Sequence, residues 1–306
     1  MTASARVVVD PRRRVAELGP QRGYLLAAVA ALLWSTMGLF GKALFEFGAA
    51  PLTVVALRAT LVFLTLATYA GLRGWPDIDR RDWLFFAAYG LVGVAAPYFL
   101  FFTAVQLVGV ALTTILLYTY PAFVTLLSRV LLRERITRWK AMALLCSLAG
   151  VTLVAGVGAS GGVHANPRGV AAALLAGLSA SVYSIFGKKA VERHSPQTVM
   201  LYSCGFGSLF LLSAQFLSLG FPDLARPIAF WCLLLALAWV STLAGSLAYI
   251  AALARIEASR ASITATIEPV AAAGLAYVFF HEALSARQIL GMALVVGGVF
   301  LVRRGP

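Results

Sequence analysis

Ten times along this 306-residue chain, about twenty residues pass with almost no charge, and a helix of that length crosses a hydrocarbon core of about 30 Å. Backbone amides and carbonyls find no water in lipid, so each stretch must satisfy them internally, as a helix does. The spans read 23–46, 51–73, 83–104, 109–131, 138–158, 168–190, 197–219, 228–252, 258–280 and 285–303. They consume most of the chain, so no soluble domain is expected. Composition agrees: 61% of residues are hydrophobic and 12% charged, against about 25% charged in soluble domains. Residues 1–22 are polar and Arg-rich and read as a cytosolic tail. The first apolar run is too long for a signal-peptide core and lacks an obvious small-residue cleavage site, so it is expected to stay.

The net charge of +13 suggests a nucleic-acid binder until its distribution is examined. With the N-terminus inside, 20 of the 25 Lys and Arg residues fall on inner segments, among them Arg12 to Arg14, Arg80, Arg81, Arg133, Arg135, Arg138, Lys140, Arg255 and Arg303. Lys42, Arg168, Arg226 and Arg287 fall outside, and Arg58 lies within a span. That bias places both termini in the cytosol and makes the lipid bilayer, not nucleic acid, the partner of the basic residues. Cys146, Cys204 and Cys232 all lie in spans, and His164, His194 and His281 stand singly near loops, so neither a disulfide nor a metal site is expected.

The chain is also written twice. The segment TTILLYTYPAFVTLLSRVLLRERIT (113–137) returns as SITATIEPVAAAGLAYVFFHEALS (262–285). A shift of 148 carries Pro121 onto Pro269, Glu134 onto Glu282, Trp83 onto Trp231 and Gly150 onto Gly298. In the first two spans the shift is 146, and FGK at 40–42 recurs at 186–188. Each copy, 23–158 and 168–303, holds five spans. Five is odd, so the second copy enters the membrane from the opposite side. The charges follow: Arg133, Arg135, Arg138 and Lys140 align with His281, Ala283, Ala286 and Gln288. Inverted repeats of this kind are a transporter signature, with a substrate site near the midplane between the halves, although channels and scaffolds can share the symmetry.

Two five-span halves, each ending P-x12-E-x2-[ST] before a Gly-rich last helix (QILGMALVVGGVFLV), resemble the EamA branch of the drug/metabolite transporter superfamily. Within it, the chain is similar to bacterial YddG-type exporters of aromatic and other amino acids. The resemblance implies an all-α membrane protein with ten helices around a central cavity. It also implies efflux from the cytosol across the bacterial inner membrane, no ATPase domain, no cofactor, and a protein that works as a monomer. Nucleotide-sugar carriers of the same superfamily fit less well, since their anionic substrates call for basic residues deep in the spans.

The polar residues inside the spans are the candidate substrate-binding set. Glu268 lies near the bilayer centre beside Pro269, and a carboxylate at that depth is costly enough to imply a function. Its partner is a substrate ammonium, a proton, or Arg58; the structural alternative is a Glu268–Arg58 pair or a neutral carboxyl bonded to helix backbone. Trp34, Trp239, Tyr98, Tyr118, Tyr120 and Tyr183 lie at similar depth, and Ser246 stands where the first copy has Tyr98. Aromatic walls with few polar groups suit a small amphipathic solute. Pro121 and Pro269 free carbonyls on Leu117 and Ala265, either as cavity acceptors or merely as packing kinks. Glu134 and Glu282 read as hairpin residues near a Ser or Thr that could cap the next helix, and Lys42 and Lys188 as snorkelling side chains. No nucleophile–base pair, metal spacing or phosphate loop is present, so an enzyme is not expected. The expected activity is export of amino acids and related small metabolites by alternating access. A proton-coupled exporter of organic cations through Glu268 is the alternative.

Overall fold

The computed structural model describes residues 19–155, 166–280 and 284–304. Among them the chain forms ten helices: α1 (Pro20–Glu46), α2 (Pro51–Arg73), α3 (Arg80–Val110), α4 (Leu112–Leu131) and α5 (Arg138–Val154) in the first copy. The second copy holds α6 (Pro167–Ala190), α7 (Pro196–Leu219), α8 (Ile228–Leu253), α9 (Ala258–Phe279) and α10 (Ala286–Arg304). Nine are long and apolar enough to cross a membrane, and α5, with 17 residues, is shorter. Glu282, His164 and His281 lie outside the described residues.

Local chemistry sets the ends. Proline opens α1, α2, α6 and α7, where its missing N–H would have had no partner. Thr137, Asn166 and Ser195 each accept a backbone N–H from the first turn of α5, α6 and α7. Gly74 and Gly220, equivalent by the shift of 146, end α2 and α7 at φ of 104° and 74°.

The helix order differs from the sequence expectation at one joint. No loop separates α3 from α4: α3 runs on to Val110, and the chain redirects at Gly109, whose φ of 78° suits glycine. Both α3 and α8 contain a π-helical segment, Tyr89–Ala95 and Leu237–Ala244, whose starts are equivalent by the shift of 148. In the second, the Thr242 hydroxyl donates to the Leu237 carbonyl at 3.0 Å.

Packing follows a two-fold relation between the copies. Helix α1 packs on α8 as α6 packs on α3, and α2 lies against α7. The last helices, α5 and α10, pack chiefly on each other and also touch α9. There a methyl group on Gly150 would stand 2.6 Å from the Gly291 carbonyl oxygen, and one on Gly298 would stand 2.9 Å from that of Ala143. Those two contacts are one contact written twice by the shift of 148. Small residues allow such approach in lipid, where tails compete equally for apolar side chains. Gly150→Ala should therefore cost about 1–3 kcal/mol through overpacking and lower the melting temperature in detergent by several degrees.

Candidate functional site

A cavity of about 510 Å³ opens between the two copies, lined by α1 to α4 and α6 to α9. Eight of the nine residues singled out from the sequence line it: Trp34, Arg58, Tyr98, Tyr118, Tyr120, Tyr183, Ser246 and Glu268. Trp239 does not. It is 48% exposed on the outer face of α8 and donates its indole N–H to the Thr65 hydroxyl at 3.0 Å. Its depth was readable, but its bearing around the helix axis was not.

Two helices break where they meet the cavity. In α9 the first half ends at Ala265, the Thr266 hydroxyl turns back onto the Ile263 carbonyl at 2.6 Å, and a second half starts at Ile267. Glu268 therefore sits in the first turn of a half-helix, whose positive end favours a carboxylate. In α4 the helix ends at Leu117 and restarts at Tyr120 with Pro121 behind it. Both prolines thus coincide with a break, since neither can donate the hydrogen bond that would continue the helix. Tyr118 lines the cavity together with Glu268, and the Tyr118 and Tyr120 rings stand 6.2 Å apart.

Arg58, in the first half of α2, is only 5% exposed. Its guanidinium donates to the Tyr98 hydroxyl, lies 4.7 Å from that ring's centre, and has Nη1 3.5 Å from the Met37 sulfur. Its Nε has no hydrogen-bond partner among the described residues. Among the described residues Arg58 forms no ion pair, so the Glu268–Arg58 pair considered as a structural alternative is not made. A buried cation with a donor to spare and a half-buried carboxylate therefore share one cavity without neutralising each other directly.

The inner part of the cavity is aromatic. Tyr249, which the sequence reading passed over, is 1% exposed and takes the Ser184 hydroxyl at 2.8 Å. The Trp34 ring lies 5.0 Å from it and Tyr183 stacks on it at 6.2 Å. A signal was available: Tyr249 lies one turn beyond Ser246, and the shift of 148 carries it onto Phe101, which lines the cavity too. Beyond Tyr249, buried Leu253, Ile256, Ile263 and Val124 fill the bundle toward the end that carries Arg22, Arg138 and Arg255. Gly38, Lys42 and Phe45 are exposed at the opposite end of the cavity. The cavity is therefore open at one end, and shut at the end rich in positive charge.

Lys188 is not a snorkelling side chain: its ammonium donates to the Leu253 and Ile256 carbonyls at 2.6 and 2.9 Å.

Comparison with known proteins matches the chain in two parts. A family model described as the EamA-like transporter family covers residues 21–156 and 167–304. A protein of Archaeoglobus fulgidus named "Uncharacterized transporter" is 26% identical over 83% of this chain and 89% of its own. A protein of Streptantibioticus cattleyicolor named "Probable terminal-alkyne amino-acid exporter" is 25% identical over 81% of this chain and 82% of its own. A solved crystal structure superposes with a TM-score of 0.79 at 23% identity, spanning 92% of this chain and 96% of the other, which is a likeness of fold.

Proposed function

This chain belongs to the EamA-like transporter family, and from that premise we propose that it exports amino acids with aromatic or other apolar side chains, and related small metabolites, by alternating access. It is a multi-pass membrane transporter, and its relatives are transporters, not enzymes. The observation that carries the substrate class is the pair of opposite charges in one aromatic cavity. A zwitterion entering a low-dielectric site needs a counterpart for each charge. The carboxylate meets Arg58, whose Nε is unsatisfied, together with the Tyr98 hydroxyl. The ammonium meets Glu268, and the side chain lies against Trp34, Tyr183 and Tyr249. The name of the Streptantibioticus relative supports an amino-acid substrate. An organic cation finds Glu268 attractive but Arg58 repulsive, which makes it the weaker reading.

The positive-charge bias orients the protein with its shut, basic end in the cytosol of the bacterial inner membrane. Reporters fused after residues 136 and 306 should then report the cytosol, and one after residue 162 the outside. A cytosolic signal after residue 162 would overturn the orientation. Function itself is tested by counterflow in proteoliposomes: labelled phenylalanine or tryptophan should exchange against unlabelled amino acid, with no ATP. Exchange of lipophilic cations without exchange of amino acids would overturn the substrate class.

A further inference from the structure

At the shut end, Glu134 behaves unlike a hairpin residue. It follows α4 in the first copy, yet its carboxylate accepts the backbone N–H groups of Ala258 and Ser259 at 2.7 and 3.2 Å and the Ser259 hydroxyl at 2.5 Å. Those are the opening residues of α9, in the second copy. The helix that follows Glu134 in sequence is capped instead by Thr137. Glu134 is 7% exposed, a costly place for a carboxylate unless hydrogen bonds satisfy it.

The contacts continue. Lys140, 2% exposed, has its ammonium 3.7 Å from Glu134 and 3.0 Å from Glu257. Arg260 holds the same Glu257 carboxylate at 2.5 Å and the Tyr24 hydroxyl at 2.9 Å. One run of charge-assisted contacts thus ties α4, α5 and α1 of the first copy to α9 of the second, across the end where the cavity is closed.

The repeat tells what the other end can do. The shift of 148 carries Lys140, Glu257, Ser259 and Arg260 onto Gln288, Gly109, Ala111 and Leu112. None of these can reproduce the ionic part of the network. The two ends of an otherwise symmetric molecule are therefore held by different forces.

We propose that Glu134 is a positioning residue of the transport cycle: its cap on α9, with the Lys140–Glu257–Arg260 contacts, latches the basic end, and must break before the cavity can open there. Among the described residues the Lys140–Glu257–Arg260 contacts have no equivalent at the other end, so the empty protein rests with the cavity open there. This inference rests on reading the cavity as the transport path.

The test measures access to the cavity without any substrate. In a chain with Cys146, Cys204 and Cys232 changed to Ser, Gly38→Cys places a thiol on the lining, at a position where an added Cβ meets nothing within 4 Å. A membrane-impermeant charged thiosulfonate is applied to either face of oriented vesicles. With Glu134 intact, the thiol should react from the open end and slowly from the basic end. Glu134→Gln should raise the basic-end rate about tenfold and lower the other, as expected for losing a hydrogen bond to a charged group. Ser259→Ala, a milder change that keeps the carboxylate, should move both rates the same way by less, and decides the matter if Glu134→Gln does not fold. Unchanged rates with a lowered melting temperature would overturn the proposal and leave Glu134 a structural cap. A thiol unreactive from the open end would instead overturn the transport-cavity reading, and the latch with it.

Discussion

Glu268→Gln should reduce amino-acid counterflow at least about 30-fold and leave the melting temperature nearly unchanged. The loss follows from removing the only acidic side chain that lines the cavity among the described residues, where a substrate ammonium would otherwise be left without a counter-charge. Truncating one partner of a buried, hydrogen-bonded charge pair costs about 2–5 kcal/mol, and 2 kcal/mol is about 30-fold. The folded protein loses little, because among the described residues the carboxylate forms no salt bridge. The amide keeps the carboxylate's shape and an acceptor oxygen for hydroxyls such as that of Tyr118, which lines the same cavity. Had Glu268 and Arg58 been a structural pair, the same change would strand a buried guanidinium and destabilise the fold. Melting curves and counterflow on one preparation separate these outcomes: a stable and fully active Glu268→Gln protein would sink the ammonium assignment.

Arg58→Gln should divide substrates by their carboxylate. Amino-acid exchange should weaken at least about 30-fold, again from the charge-pair scale, while exchange of a decarboxylated amine such as phenethylamine should hold or improve. The reason is geometric: Arg58 is anchored through Tyr98 and leaves Nε unsatisfied, so one face of the guanidinium is committed and another is spare. Glutamine keeps a polar donor but neither the charge nor the planar fork that suits a carboxylate. Equal losses for amino acid and amine would show that Arg58 supports the cavity's shape and does not read the substrate.

Fold and site were legible to different degrees, and the difference is physical. Span number and depth follow from apolar runs and bilayer thickness, and the repeat makes each half a check on the other. Depth alone brought Glu268, Arg58, Tyr98, Tyr118, Tyr120 and Tyr183 to one level of the bundle. Bearing around the helix axis is a separate quantity. A membrane helix is apolar on all sides, so the amphipathic pattern that orients a helix in a soluble protein is missing. Trp239 and Tyr249 show the consequence: they lie on one helix, the first facing out and the second buried against the cavity. Glu134 was misplaced for another reason. Its sequence neighbour Thr137 offered a local explanation, whereas its real partners, Ala258 and Ser259, are more than 120 residues away.

The paired π-helical segments in α3 and α8 act as angular settings. A π turn holds one residue more than an α turn, so everything beyond it is rotated by about 100° relative to an unbroken helix. Tyr98 and Phe101 follow the first segment, and Ser246 and Tyr249 follow the second. All four line the cavity because of that offset as much as because of their chemistry. Identical side chains on uninterrupted helices would present another face. The compass bearing of the wall is thus stored in the backbone, where a single-residue deletion rewrites it without touching any residue that lines the site.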